Sequence, residues 1–215
     1  MNGTYLSFKK GASIFQEGDA AENLFLIKDG TVQISKQTDT GKELTIRLCS
    51  SNSLIGENIA FCKLNRHATT AIVMEDVTLY SLNNELLEMH LTEQPTLMTD
   101  YLQWIQVENI KNQSRLRDLM LHGKKGALFS TLIRLANTYG QSVDGNSIYI
   151  DFLLTNSEMA NLCATSREMI NRMLSDLKKQ RIISIEKGYI TIHQLDFLKQ
   201  EISCDECPLC VCRID

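Results

Sequence analysis

The hydrophobic period of this chain changes once, between Asn83 and Pro95, and that change most limits its possible folds. Before it, apolar residues come in short runs: Tyr5-Leu6-Ser7-Phe8, Leu24-Phe25-Leu26-Ile27, Val32-Gln33-Ile34-Ser35 and Leu44-Thr45-Ile46-Arg47-Leu48, then Ala68–Val73 and Val77–Leu82. Gly11, Glu17-Gly18-Asp19, Asp29-Gly30, Asp39-Thr40-Gly41 and Gly56 punctuate them. Runs of this length between turn residues read as strands. Asp29-Gly30 predicts a hairpin turn, because both central positions tolerate positive φ. A series of such strands predicts a barrel or jelly-roll-like sandwich over residues 1–93.

After the change, Leu97, Tyr101, Leu102, Ile105, Val107, Ile110, Leu116, Leu119 and Met120 recur at roughly helical spacing. Pro95 suits a helix start, and no further Gly or Pro intervenes before Gly123. One long helix is therefore expected over residues 94–123. Such a helix can lie on the surface of a monomer, but a long helix joining two parts of a chain more often packs against its own copy. Gly126–Tyr139 reads as a second helical stretch that ends near Gly140, and Ser147–Phe152 alternates like a strand.

Residues 154–179 predict two short helices joined by a tight turn at Cys163-Ala164. Thr155 or Asn156 can cap the first and Thr165 or Ser166 the second, since each offers a side-chain oxygen to an otherwise orphan N–H. Met159, Ala160 and Leu162 would face inward on the first helix. On the second, Ile170, Met173, Leu174 and Leu177 would do so. This is helix–turn–helix geometry, whose second helix enters the major groove. Its exposed N-terminal residues are Ser166, Arg167, Glu168, Asn171 and Arg172. Arginine can bond guanine O6 and N7 together, and glutamate can accept from cytosine N4. The same pattern also fits a solvated helix face carrying a Glu168–Arg172 pair. The following Arg181–His193 stretch favours the first reading: it predicts a hairpin turning at Lys187-Gly188, and the whole becomes a winged helix of residues 124–195. Lys178, Lys179 and Lys187 would then touch phosphates, which position a protein without specifying sequence.

Charge is distributed accordingly. Residues 1–93 hold 8 Lys/Arg against 12 Asp/Glu, residues 94–134 hold 6 against 3, and residues 154–199 hold 7 against 5. An acidic front and a mildly basic back suit a chain of which one face meets nucleic acid. With no apolar run near the ~20 residues that span a bilayer and no apolar core near Met1, the expected compartment is the cytoplasm, without membrane contact.

The tail, residues 196–215, carries Cys204-Asp-Glu-Cys207-Pro-Leu-Cys210-Val-Cys212. Thiols this close are poor disulfide partners for one another. They suit a metal ion or an iron–sulfur cluster, around which a short loop can wrap several sulfurs. Cys49, Cys62 and Cys163 stand alone and read as small buried hydrophobes.

The order of β-roll, long helix and winged helix, an α+β arrangement, resembles the CRP/FNR transcription regulators over essentially the whole chain. The residues that carry the likeness are Phe15-Gln-Glu-Gly-Asp, Leu54-Ile-Gly-Glu-Asn and Thr165-Ser-Arg-Glu-Met-Ile-Asn-Arg-Met-Leu. Ser114–Leu128 and the terminal cysteines are similar to the Bacillus-type FNR branch in particular. That resemblance implies a homodimer, double-stranded DNA and RNA polymerase as partners, and no enzymatic activity. It also implies a [4Fe-4S] cluster held through a C-x2-C-x4-C pattern, matched by Cys204, Cys207 and Cys212, plus a carboxylate, matched by Asp118. Cys210 is then a spare thiol or an alternative ligand. On its own, Asp118 between Arg115 and Arg117 would read as a surface ion pair worth less than ~1 kcal/mol.

Cyclic-nucleotide-binding members pair a Gly-Glu with a later Arg-Ser/Thr-Ala. Gly56-Glu57 is present here, but Ala68 falls at the arginine position, with Arg66 two residues early. A buried phosphate without that arginine is poorly compensated, so no cAMP binding is expected. The Arg-Glu-x-x-x-Arg arrangement in the recognition helix resembles readers of TGTGA half-sites. The implied function is an oxygen-responsive regulator of anaerobic genes. The alternatives are a CRP-like regulator with a structural zinc site and, with little support, a redox enzyme using Cys204-x-x-Cys207, for which no βαβ context is present.

Overall fold

A computed structural model describes residues 3–56, 61, 65–143 and 145–215. The chain divides into two compact units, residues 1–104 with Asp215, and residues 105–214.

The first unit is a strand-rich roll. Its strands are β1 (Thr4–Phe8), β2 (Ser13–Phe15), β3 (Asn23–Gln37), β4 (Glu43–Cys49), β5 (Leu54–Ile55) and β6 (Thr70–Asn83). They are antiparallel in the order β1-β6-β3-β4, with β2 paired to β6 and β5 to β3. The core is the alternate apolar residues of these strands, among them Phe15, Phe25, Ile27, Val32, Ile34, Val73, Val77 and Leu79. Helix α1 (Asn84–Glu93) follows directly, and the Asn83 side chain caps it by accepting from Glu85 N at 2.9 Å.

One local expectation fails here. Asp29-Gly30 is not a hairpin turn, because β3 runs straight through it and β6 runs opposite without a break at Glu75-Asp76. Gly30 does take a positive φ of 90°, but as part of an irregularity where the β3–β6 register shifts. A Cβ there would lie 2.2 Å from the Asp76 carbonyl oxygen. Positive φ serves a bulge as well as a turn, and this glycine admits the partner backbone.

Helix α2 (Pro95–Tyr139) is interrupted at Gly123, whose φ of 60° and ψ of −154° are not helical. The expected break between the two helical stretches is therefore present. In the second unit, the segment after Gly123 is almost wholly buried through Leu128, Phe129, Leu132, Ile133 and Leu135. A four-stranded antiparallel sheet has the order β7 (Gly140–Val143), β8 (Ser147–Ile150), β10 (Tyr189–Ile192), β9 (Ile183–Glu186). Helices α3 (Asn156–Leu162), α4 (Arg167–Lys179) and α5 (Leu195–Glu201) complete the unit. No helix among the described residues is long and apolar enough to cross a membrane.

Candidate metal centre and nucleic-acid interface

Local chemistry builds the helix–turn–helix. Thr155 caps α3 in a reciprocal box: its hydroxyl accepts from Glu158 N at 3.2 Å, and the Glu158 carboxylate accepts from Thr155 N at 2.7 Å. Ala164 turns the chain with a φ of 49°. Ser166 caps α4 by accepting from Met169 N. Ile170, Leu174 and Leu177 are buried, Met173 is half-buried, and Ser166, Arg167, Glu168, Asn171 and Arg172 are all exposed. The Asn156 amide donates to Asn171 Oδ1, which ties the middle of α4 to the start of α3. Arg172 lies against Met169 Sδ at 3.1 Å. The Glu168 carboxyl is held below its ordinary pKa, chiefly by its own backbone N–H and then by Ser166, as fits the first turn of a helix. β9 and β10 pair Glu186 with Tyr189 across Lys187-Gly188, both at positive φ, so the expected wing is a two-residue hairpin.

The second site lies around Asp118, which is only 2% exposed. It is not the surface ion pair that its neighbours suggest. Arg115 instead donates to the Arg213 and Ile214 carbonyls at 3.2 and 2.7 Å. Asp118 Oδ1 accepts from Arg117 Nε and Nη2 at 3.1 and 2.7 Å. Oδ2 accepts from Ser130 Oγ at 2.5 Å and lies 3.5 Å from Arg134 Nη2. Arg134, also 2% exposed, further donates to Ser130 Oγ, Ser114 Oγ and the Val211 carbonyl.

The cysteine loop lies against this network. Cys204 and Cys207 are half-buried, Cys212 is buried and Cys210 is exposed. Cys204, Cys207, Cys212 and Asp118 all line one cavity of about 10 Å³, together with Ser114, Arg117, Ser130, Ile133, Arg134 and Ile202. Cys210 does not line it. Burial pushes the Cys212 thiol up to about 11, and the nearby Cys207 and Cys204 thiols push the same way, while the Arg134 charge pulls it down. Cys163 is buried beside the Thr131 hydroxyl, and burial raises it to about 12. It and Cys49 are the small buried residues expected, while Cys62 lies outside the described residues.

The donor set fits an iron–sulfur cluster or a zinc ion in kind, with three sulfurs, one carboxylate oxygen and two neighbouring guanidiniums to offset negative charge. Its spacing is closed. Among the described residues, no group of three or more His, Cys, Asp or Glu is set to hold a metal ion, and the cavity has room for about one water. The loop must open for anything larger.

In the roll, Arg66 donates to the Gly18 carbonyl at 2.6 Å. His67 is buried and stacks on Phe15 at 3.8 Å between ring centroids. The Ala68 carbonyl accepts from Lys36. Glu57 lies outside the described residues. Ser130 and Arg134 come after the Gly123 break, and their only sequence signal is polarity among Leu128, Phe129, Leu132 and Ile133.

Comparison with known proteins agrees with this layout. The cyclic nucleotide-binding domain family matches residues 5–93, and the Crp-like helix-turn-helix domain family matches residues 127–201. The anaerobic regulatory protein of Bacillus subtilis is 44% identical over 214 residues, covering 99% of this chain and 89% of that one. The global nitrogen regulator of Synechococcus elongatus is 29% identical, covering 91% of this chain and 88% of that one. The structure of FixK2 from Bradyrhizobium japonicum shares the fold, with a TM-score of 0.78 at 15% identity over 93% of this chain and 97% of that one. The chain belongs to the CRP/FNR family and is a DNA-binding transcription regulator, not an enzyme.

Proposed function

We propose that this regulator senses oxygen through a [4Fe-4S] cluster held by Cys204, Cys207, Cys212 and Asp118, and that as a cytoplasmic homodimer it reads a TGTGA-type palindrome for RNA polymerase. The observation that carries the reading is the cavity that gathers these four side chains and leaves Cys210 outside. The relative named an anaerobic regulatory protein supports a role in the control of anaerobic genes. A cluster bound there would be held by the Cys204, Cys207 and Cys212 thiolates and the Asp118 carboxylate, and would supply oxygen-sensitive redox chemistry. The chain's own part is to bring three thiols of the terminal loop and the Asp118 carboxylate of α2 around one cavity.

DNA reading follows from α4. Arg167 and Arg172 project from its exposed face and are proposed to contact guanines. Glu168 accepts from a cytosine, and Ser166 and Asn171 complete the contact set. In a dimer the two recognition helices must sit about 34 Å apart to meet successive major grooves. A small change in how the winged helix is held on α2 therefore alters affinity strongly. No cyclic nucleotide is proposed as the signal, since Arg66 is already spent on Gly18.

Zinc is the second reading, and the small cavity favours it, since one ion needs far less space than a four-iron cluster. Zinc would staple the tail and sense nothing. Anaerobic purification separates the two: bound iron and sulfide with air-sensitive DNA binding support the cluster, whereas a colourless zinc protein with air-stable DNA binding supports the staple.

A further inference from the structure

The arginines beside Asp118 reach opposite ends of the cysteine loop. Arg117 holds Asp118 Oδ1 through Nε and Nη2, and pairs through Nη1 with Asp205, the residue after Cys204. Arg134 lies at Asp118 Oδ2 through Nη2, and donates through Nη1 to the carbonyl of Val211, the residue before Cys212, at 2.9 Å. Ser114 and Ser130 fix the Arg134 guanidinium at 2.8 and 3.1 Å.

The loop has little regular structure with which to satisfy its own backbone. Its terminal carbonyls are instead met from α2. Arg134 serves Val211, the Asn137 amide serves Cys212 at 2.7 Å, and Arg115 serves Arg213 and Ile214. Thr138 Oγ1 accepts from Ile214 N at 3.0 Å. A buried carbonyl left without a donor is costly. These bonds join protein groups only, so the docking they produce belongs to the polypeptide.

We infer that Arg117 and Arg134 form a clamp that docks the cysteine loop onto Asp118 without help from a metal group. They are positioning residues, and Arg134, at 3% side-chain exposure against 30% for Arg117, is the dominant one. The purpose of the clamp rests on the proposed ligand set, but the docking itself does not. It follows that the metal-free tail rests closed on Asp118. A metal group would have to open the loop and take the Asp118 carboxylate from Arg117, Ser130 and Arg134, which hold both of its oxygens. The switch becomes an exchange of partners at one buried carboxylate, with the tail docked rather than released when the group is lost.

The test uses the full chain, reduced and treated with a chelator, and reads hydrogen–deuterium exchange. In the wild type, the amides of Val211, Cys212 and Ile214 are expected to be protected. Arg134→Gln is expected to accelerate their exchange by about tenfold or more while leaving α3 and α4 unchanged. Arg134→Lys keeps the charge but cannot span both partners, and is expected to behave like Arg134→Gln. Should Arg134→Gln fail to fold, Asn137→Ala removes only the bond to Cys212 and is expected to give a smaller rise confined to the tail. Unprotected tail amides in the wild type would overturn the clamp, as would full protection in Arg134→Lys. Reconstitution of the wild type with iron and sulfide is scored separately. A protein that takes up no cluster sinks the proposed function and leaves the exchange result standing.

Discussion

The two units differ in how their charged groups are arranged. In the roll, Arg66 is exposed and bonds a carbonyl, His67 enters the core as a ring stacked on Phe15, and the buried Asp215 carboxylate accepts from the Ser50 hydroxyl. In the unit that carries the cysteines, Asp118 and Arg134 are both sunk to 2% exposure inside a network of serines and backbone carbonyls. Replacing a buried ion pair with apolar residues is often neutral or stabilising, so such a pair is weak evidence of a stability role. A network of this kind, beside three thiols, fits the ligand site proposed above. The roll matches the cyclic nucleotide-binding family over residues 5–93, and the buried Asp118–Arg134 network lies in the second unit.

The largest expected effect tests that contrast directly. Asp118→Ala leaves Arg134 buried and uncompensated, and is expected to destabilise the metal-free protein by about 3–5 kcal/mol in urea unfolding. A cost near zero would mean that the network is incidental. On the roll side, Arg66→Ala removes one exposed bond to a carbonyl and is expected to cost no more than about 1 kcal/mol.

Intermediate in size is the change at α4. Arg167→Ala is expected to reduce discrimination between a TGTGA half-site and a guanine-substituted one by about 1–3 kcal/mol in a competition binding assay. Lys178→Ala is expected to weaken binding to all sequences alike and to lower the salt dependence. Equal selectivity in Arg167→Ala and the wild type would remove the proposed base contact.

The smallest effects are expected where the structure places residues outside the working sites. Cys210→Ser is expected to keep wild-type iron content after anaerobic reconstitution, whereas Cys212→Ser loses it. Calorimetry with micromolar cAMP is expected to show no saturable heat, and saturable binding would restore the roll as a sensor.

Much of the fold was legible because its signals are local. The change of period at Asn83, the break at Gly123, the caps at Thr155 and Ser166 and the Lys187-Gly188 turn each follow from a few neighbouring residues. The failures have physical reasons. Gly30 offers positive φ to a bulge and to a turn alike. β7 is exposed along its whole length and has Val143 as its one large apolar residue, so no alternation marks it. α5 starts at Gln194 without a side-chain cap bond, so no capping residue announced it within the presumed tail. For the site, close spacing picked out the four terminal cysteines, and resemblance selected Cys204, Cys207 and Cys212 among them together with Asp118. The burial of Asp118 depends on Ser130 and Arg134, which reach it across the Gly123 break. Contacts of that range leave no periodic trace.

The central claim is that the cysteine loop and Asp118 hold an oxygen-sensitive group that governs DNA binding. The most direct measurement is anaerobic purification followed by iron and sulfide analysis and a DNA-binding assay on one sample before and after exposure to air. The account predicts a brown protein absorbing near about 400 nm, with about four irons and four sulfides per chain. Air is expected to bleach it and to change its affinity for a TGTGA palindrome at least about tenfold. A colourless protein that carries zinc and binds DNA equally before and after air would contradict it.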